Sequence, residues 1–329
     1  FDEYGQCWAE MCVVPHLWHM IQGARIQRQG GEHFAIHPAE LARYGKPSGK
    51  PVHPYIYDDI KQHGDHVHWS GNLGPHAANA RSDSAGGGHA HAGLLCYLGT
   101  SWPAKYRGNL LIGNIHGQRL NMDIPARSGS GFIGRHGKDF LNFNDTWSQT
   151  LNQLYDQDGS VYIIDWYDKN QCHHNREDGH DRSNGRIYKI VYNHQPMTHV
   201  DVAKLSETEL VKLVASKNEF LSRHARRALQ ERASEHGLQA ASTYELKRTL
   251  RGASDTPARL RALWALHGCG GLDARTAIEN LKSSDEWLRA WTIQLAFESE
   301  VNLRRLIQEA NDAGLRADPD LNQLAETDP

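Results

Sequence analysis

Residues 158–192 read DGSVYIIDWYDKNQCHHNREDGHDRSNGRIYKIVY, and this stretch separates two kinds of sequence. Asp158-Gly159 is a turn signal, and the run VYIIDW (161–166) after it is rich in the β-branched and aromatic residues that favour strands. Two acidic residues, Asp165 and Asp168, follow, then a polar loop with Cys172, His173, His174 and His180. GRIYKIVY (185–192) closes the unit as a second strand. All but three of the 21 histidines (His224, His236 and His267) lie before Val200. Short strand-like runs and His-rich loops precede the stretch; helical periodicity follows it.

Moving towards the N-terminus, TLNQLYD (150–156), DFLNFN (139–144), GFIGRHG (131–137), QRLNMDI (118–124), NLLIGNI (109–115) and GLLCYLG (93–99) are short runs parted by Gly, Pro and polar turns. CWAEMCVV (7–14) and LWHMI (17–21) add strand material at the start. Such runs predict an all-β domain, and four-stranded units recurring about every 50 residues favour a propeller over a sandwich. Residues 23–88 form a polar insertion rich in Gly, His and Pro. A long unpatterned run of this kind is either a rim loop over a site or a variable surface insertion.

Towards the C-terminus the period changes. LSETELVKLVA (205–215) carries Ser206 with Glu209 three residues on, a capping box. NEFLSRHARRALQERA, DTPARLRALWALHG and DEWLRAWTIQLAFE resemble one another, with Asn218, Asp255 and Asp285 at N-cap positions and apolar residues at i, i+3, i+4. Paired helices repeating in this way predict a HEAT-like α-solenoid with Trp264, Trp287 and Trp291 in its core. The boundary falls in NHQPMT (193–198), giving a β domain over 1–195 and a helical domain over 196–329.

Composition narrows the partners. A hydrophobic content of 39% and a charged content of 23% are those of a soluble globular chain, and no run of some eighteen apolar residues exists to span a membrane. The net charge of −3 gives no reason to expect nucleic acid or an anionic lipid surface. The start, FDEYGQCW, has no Met, basic segment or apolar core and reads as internal to a longer protein. Five scattered cysteines form no CxxC or CxxCH and leave the redox compartment open.

Several side-chain sets carry candidate chemistry. His89 and His91 are two apart, so on an extended strand both imidazoles face one side, as metal ligands or an acid/base pair. The competing reading is a pair that satisfies backbone carbonyls at a sheet edge. His116, in a neighbouring hairpin turn, could complete a three-His site. Asp165 and Asp168 could hold Ca²⁺ or another divalent ion, alone or with His89 and His91, or act as a base. Their bland role is to accept loop N–H groups or to pair with Arg182 or Arg186. Arg119 and Arg186 are candidate ligand-binding cations. His63, His66 and His68 form a second cluster within the insertion, while Asp156 and Asp158 (DQDG) read as an ordinary turn. Cys172-His173-His174 lacks zinc-knuckle spacing and reads as a polar loop. GxSxG, Walker A and GxGxxG contexts are missing, which weakens serine hydrolase and nucleotide-dependent readings.

GGGHAHAGLLCYLGTSWPAKYRGNLLIGNIHGQRLNMDI, GSGFIGRHGKDFL, DGSVYIIDWYDKNQCHH and DRSNGRIYKI, with FDEYG and HLWHMIQGAR at the start, resemble the membrane-bound dehydrogenase family of planctomycetes and their relatives. The likeness runs over essentially all of residues 1–329. It implies the late blades of a six-bladed, quinoprotein sugar dehydrogenase-like β-propeller followed by HEAT repeats, often with a c-type cytochrome domain beyond. By the same resemblance the protein is extracytoplasmic or periplasmic and oxidises a sugar or polyol, with His89 or His91 as base, Asp165 and Asp168 positioning ligand or metal, and electrons passing to a cofactor or haem outside this segment. One departure stands out. The related sugar dehydrogenases place two quinone-contacting arginines just ahead of the blade's DG turn, where this chain has Gln149 and Leu151. Without those cations the three carboxylates of pyrroloquinoline quinone lose charge-assisted partners. The alternative function is a non-catalytic scaffold that binds glycan, or a protein through its helical repeats.

Overall fold

Residues 93–99 are apolar almost without interruption, and a strand of that kind must be covered on both faces. The computed structural model describes residues 1–10, 17–22, 90–115, 117–168, 180–181, 183–193 and 199–315, and the chain divides into two compact units, Phe1–Thr198 and His199–Pro329. Strands β1 (Cys7–Glu10) and β2 (Leu17–Met20) make an antiparallel pair. Strands β3 (His91–Cys96), β4 (Leu110–Asn114), β5 (Arg119–Ser128) and β6 (Gly131–His136) form an antiparallel meander, and the short β7 (Leu141–Asn142) pairs with the start of β5. A second meander holds β8 (Thr150–Tyr155), β9 (Val161–Asp165) and β10 (Arg186–Ile190), in that order. The architecture is β followed by α, and among the described residues no sheet closes on itself into a barrel or propeller.

Alternation along β3 explains its double burial. Cys96 and Leu98, with Leu110, pack against Trp8 and Leu17 of the first pair. Leu95 and Tyr97, with Leu111 and Leu120, pack against Val161 and Ile163 of β9. The first meander is therefore the middle layer of three sheets. Two glycines let the layers close. Gly93 has φ +70° at a bulge in β3, and a Cβ there would lie 2.7 Å from Asn152 Cα and 2.8 Å from the Leu151 carbonyl oxygen. A Cβ on Gly113 would lie 2.7 Å from Thr150 Oγ1. Gln153 Nε2 donates to the Gly93 carbonyl (2.8 Å), and further along both segments Tyr97 donates its hydroxyl proton to the Gly159 carbonyl (2.8 Å). Strands β3 and β8 thus run side by side in the same direction.

The β8–β9 turn is the ordinary turn that DQDG suggests. Ser160 N–H donates to Asp158 Oδ1 (2.8 Å), and Lys189 Nζ of β10 lies 2.7 Å from Asp158 Oδ2. Burial raises the Asp158 pKa, but the hydrogen bonds from Lys189 and Ser160 outweigh it and hold the carboxyl below its usual range. A depressed folded-state pKa contributes stability above the unfolded value and loses it as pH falls through the folded one. Asp158→Asn should therefore unfold at lower urea than wild type at neutral pH, and the gap should close on acidification towards about pH 2. A gap independent of pH would show that charge on Asp158 does not matter.

The second unit holds seven helices: α1 (Glu207–Val214), α2 (Glu219–His236), α3 (Ala240–Gly252), α4 (Thr256–Gly268), α5 (Ala274–Leu281), α6 (Glu286–Ala296) and α7 (Glu300–Asp312). Every start but that of α3 is marked by a capping side chain. Ser206 and Glu209 form the full capping box, and Asn218, Asp255, Asp273, Asp285 and Ser299 accept first-turn N–H groups. Helices pair consecutively, α1 with α2, α3 with α4 and α5 with α6, while α2, α4 and α6 also touch in a row. Leu229, Leu246, Leu250, Leu260, Leu263, Leu266 and Leu288 fill the core. Trp264, Trp287 and Trp291 are only half-buried, with Trp264 and Trp291 edge to face at 5.1 Å, so leucines occupy the centre expected for these rings. An ion cluster is buried beside them. Glu219 accepts from Arg261 Nε (2.8 Å), Arg226 Nη2 (3.0 Å) and Arg223 Nε (3.1 Å), and Arg261 is 1% exposed.

Candidate functional site: the polar end of the two meanders

Cross-strand partners in an antiparallel sheet point to the same face, so strand register decides which distant residues meet. In the first meander His91 lies opposite Asn114, and Asn114 opposite Arg119. In the second, Thr150 lies opposite Asp165, and Asp165 opposite Arg186. Both are terminal rows at the same end of their sheets, because Gly113, one residue before Asn114, approaches Thr150. Four residues singled out in the sequence, His91, Arg119, Asp165 and Arg186, therefore come from four strands to one polar end.

Asp165 and Asp168 bracket a tight turn. Asp165 Oδ1 accepts from the N–H of Gln149 (2.7 Å) and of Tyr167 (2.9 Å), with Tyr167 at φ +51°. Asp168, fully buried, accepts from His180 Nδ1 (3.0 Å), the Asp181 N–H (3.1 Å) and Trp166 Nε1 (3.4 Å). Gln149 Nε2 donates to the Asp168 carbonyl. These contacts brace the loop, the bland role that competed with metal binding. Arg186 turns its guanidinium onto the Tyr167 ring, 3.1 Å from the centroid, a cation–π contact. Tyr167 in turn donates to Asp145 (3.0 Å), and that hydrogen bond pushes its pKa up. Within the row, Thr150 Oγ1, Asp165 Oδ2 and Arg186 Nη1 are buried without hydrogen-bond partners. Polar atoms in that state are rare in folded proteins and mark a place where a further group would be welcome.

At the other row, His91 is 3% exposed and follows Ala90, a buried non-glycine residue at φ +62°. Backbone held in that region costs about 1–3 kcal/mol and is retained where the surroundings impose it. The Ala90 carbonyl accepts from the Ile115 N–H (3.1 Å), so β3 is locked to the β4–β5 turn at this point. Arg119 pairs with Asp139 (2.8 Å) and caps the Gly117 carbonyl (2.7 Å). Asn114 and Asn121 extend that network: Asn114 Nδ2 donates to Asn121 (2.9 Å), and Asn121 Nδ2 donates to Asp139 (2.8 Å). Asn114, Asn121, Asp139, Thr150 and Tyr167 were not legible as site residues, since nothing in their local sequence signals the register that gathers them.

His89, His116, the His63, His66 and His68 cluster, Cys172, His173, His174 and Arg182 lie outside the described residues. Among the described residues no three metal-type side chains converge, so His91 and Asp168 belong to no such group there. A calcium ion fits the Thr150–Asp165 row poorly, because Arg186 Nη1 on the same face would repel it. Pyrroloquinoline quinone fits poorly too: Gln149 is buried and holds the Asp168 carbonyl, and Leu151 carries no charge. Haem c would need a CxxCH that this sequence does not contain. No described helix is long and apolar enough to cross a membrane.

No curated protein and no solved structure matches the chain. Residues 1–194, the β unit almost to its end and more than half of the sequence, match a family described as a domain of unknown function (DUF7133). The chain belongs to the DUF7133 family.

Proposed function

We propose that the β unit is part of a six-bladed, sugar dehydrogenase-like propeller, and that its polar end faces a sugar or polyol in an extracytoplasmic oxidoreductase. The observation that carries this reading is the meeting of His91, Arg119, Asp165 and Arg186 from four strands at one end of two parallel-running meanders. Further support comes from the repeat of the antiparallel meander itself and from the family resemblance of the strand motifs. In this reading His91 takes the hydroxyl proton of the substrate. Its burial shields the imidazole from bulk water. The electron acceptor is a cofactor or haem held elsewhere in the protein. The paired, stacked helices read as HEAT-like repeats offering a protein partner a surface.

His91→Ala in the natural full-length protein should lower dye-linked oxidation of sugars or polyols by about 10²-fold or more, the usual contribution of a positioned base. Circular dichroism should show the fold retained. A variant that oxidises at the wild-type rate would sink the assignment.

A second reading has its own support. Arg119 is held by Asp139, Arg186 lies on Tyr167, and Asp168 is held by His180, so three of the polar groups already serve the fold. That favours a non-catalytic scaffold binding glycan or protein. Glycan binding with no turnover by the wild-type protein would select it.

A further inference from the structure

Among the described residues the smallest sheet is β1–β2, with four residues in each strand. A two-stranded pair of that size is marginal by itself and persists by packing on something larger. Register sets Trp8 across from His19 and Glu10 across from Leu17, and these four side chains form its inner face. Trp8 and Leu17 lie on Cys96, Leu98 and Leu110 of the middle meander. Half of the docking face is therefore apolar and half can ionise.

His19 is badly placed for a charge. It is 6% exposed and sits in an aromatic corner, its ring 4.8 Å from the centroid of Trp8 and 5.0 Å from that of Phe132 on β6. Its Nε2–H donates to Gln6 Oε1 (2.9 Å). Arg127 of β5 holds its guanidinium 5.4 Å from the centre of the same Phe132 ring. Burial, and then the charge of Arg127, push the His19 pKa down from its ordinary value of 6.5. The other ionisable groups around this interface, among the described residues, are engaged. Glu10 accepts the Gly93 N–H (3.1 Å), Glu3 pairs with Arg107 (2.9 Å), and His136, on the Phe132 face of β6, pairs with Asp123 (2.9 Å). Asp2 accepts from Trp8 Nε1 (3.4 Å), and burial pushes its carboxyl up, so acid favours its folded form. His19 acts in the opposite sense. A base with a depressed folded-state pKa takes up its proton more readily once released, so docking weakens as pH falls below the ordinary imidazole value.

We propose that β1–β2 is an acid-released cover: protonation of His19 undocks the pair and bares the apolar face of Cys96, Leu98 and Leu110. The parts are those of a pH-sensitive element, a buried imidazole at the seam of a small, locally opening unit. The cover works in this way whatever the polar end binds.

Cys96 reports the release, because it is 5% exposed and packs beneath Trp8 and Leu17. In the natural full-length protein its reaction with a pyridyl disulfide is followed by mass spectrometry of the modified peptide. Dividing by the rate in urea at the same pH cancels thiol ionisation. Between about pH 7.5 and about pH 5.5 the protection of Cys96 should fall about 3–10-fold, the upper figure being the limit for one imidazole proton. In His19→Gln it should stay constant to within about 2-fold. An equal fall in His19→Gln, or none in the wild type, would overturn the proposal. Amide exchange in β9, on the far side of the middle meander, should hold steady over the same range. Loss of protection there in step with Cys96 would also overturn it, since the whole β unit would then be opening. Should His19→Gln fail to fold, His19→Phe fills the aromatic corner without a titrating group and is read in the same way.

Discussion

Glu219→Ala is expected to destabilise the helical unit by about 3–5 kcal/mol, because it leaves a guanidinium buried without its carboxylate. Arg261 is the residue at stake. It is 1% exposed, its Nε donates to Glu219 Oε2 at 2.8 Å, and its Nη2 already lacks a partner. Arg226 and Arg223 share the other carboxylate oxygen, so removing Glu219 also sets three cations against one another. Alanine at the first helical position is a good helix former, which excludes propensity as the cause of a large loss. Urea unfolding followed by helical ellipticity reads the change. The control is Glu219→Ala combined with Arg261→Met, which removes both charges and keeps most of the volume. It should recover most of the stability, since an apolar replacement of a buried pair is often neutral. If the single variant lost less than about 1 kcal/mol, the range of a surface ion pair, the cluster would be solvated and its burial unimportant.

That cluster shows where sequence reading stops. Glu219 looks like any first-turn acid after an Asn218 cap, and Arg261 like one of several arginines near the start of a repeat. The caps themselves were legible, because a side chain that accepts N–H groups two or three residues on is a local device. Strand runs were legible for the same reason: VYIIDW and GRIYKIVY became β9 and β10, and GLLCYLG lies in the doubly buried β3 and its extension. What pairs across 42 residues, as Glu219 and Arg261 do, has no local signature. The same holds at the polar end. Asp165 and Asp168 were visible as an acidic pair, but their occupation by N–H donors depends on where Gln149, His180 and Asp181 fall in space. Register gathers Arg119 towards His91, and register is a property of the assembled sheet.

Glycine gives the second large effect. At Gly93 a second strand, β8, comes against the backbone where a side chain would otherwise stand. Gly93→Val should destabilise the β unit by about 3–5 kcal/mol, from left-handed strain on a β-branched residue added to overpacking. Both contributions have named atoms. At φ +70° a valine is a conformational outlier, and its Cβ would sit 2.7 Å from Asn152 Cα and 2.8 Å from the Leu151 oxygen, backbone atoms that cannot rotate away. Moving β8 to relieve them would break the Gln153–Gly93 hydrogen bond and part the two terminal rows. Gly129→Val isolates the strain: Gly129 has φ +57° with open space around its Cβ, so it should lose only the roughly 1–3 kcal/mol of backbone strain. Near-equal losses at the two positions would mean that the close approach of β3 and β8 contributes nothing beyond dihedral strain. A much larger loss at Gly93 ties the polar end to that approach, since His91 and Asp165 share one end only while β3 and β8 stay in backbone contact.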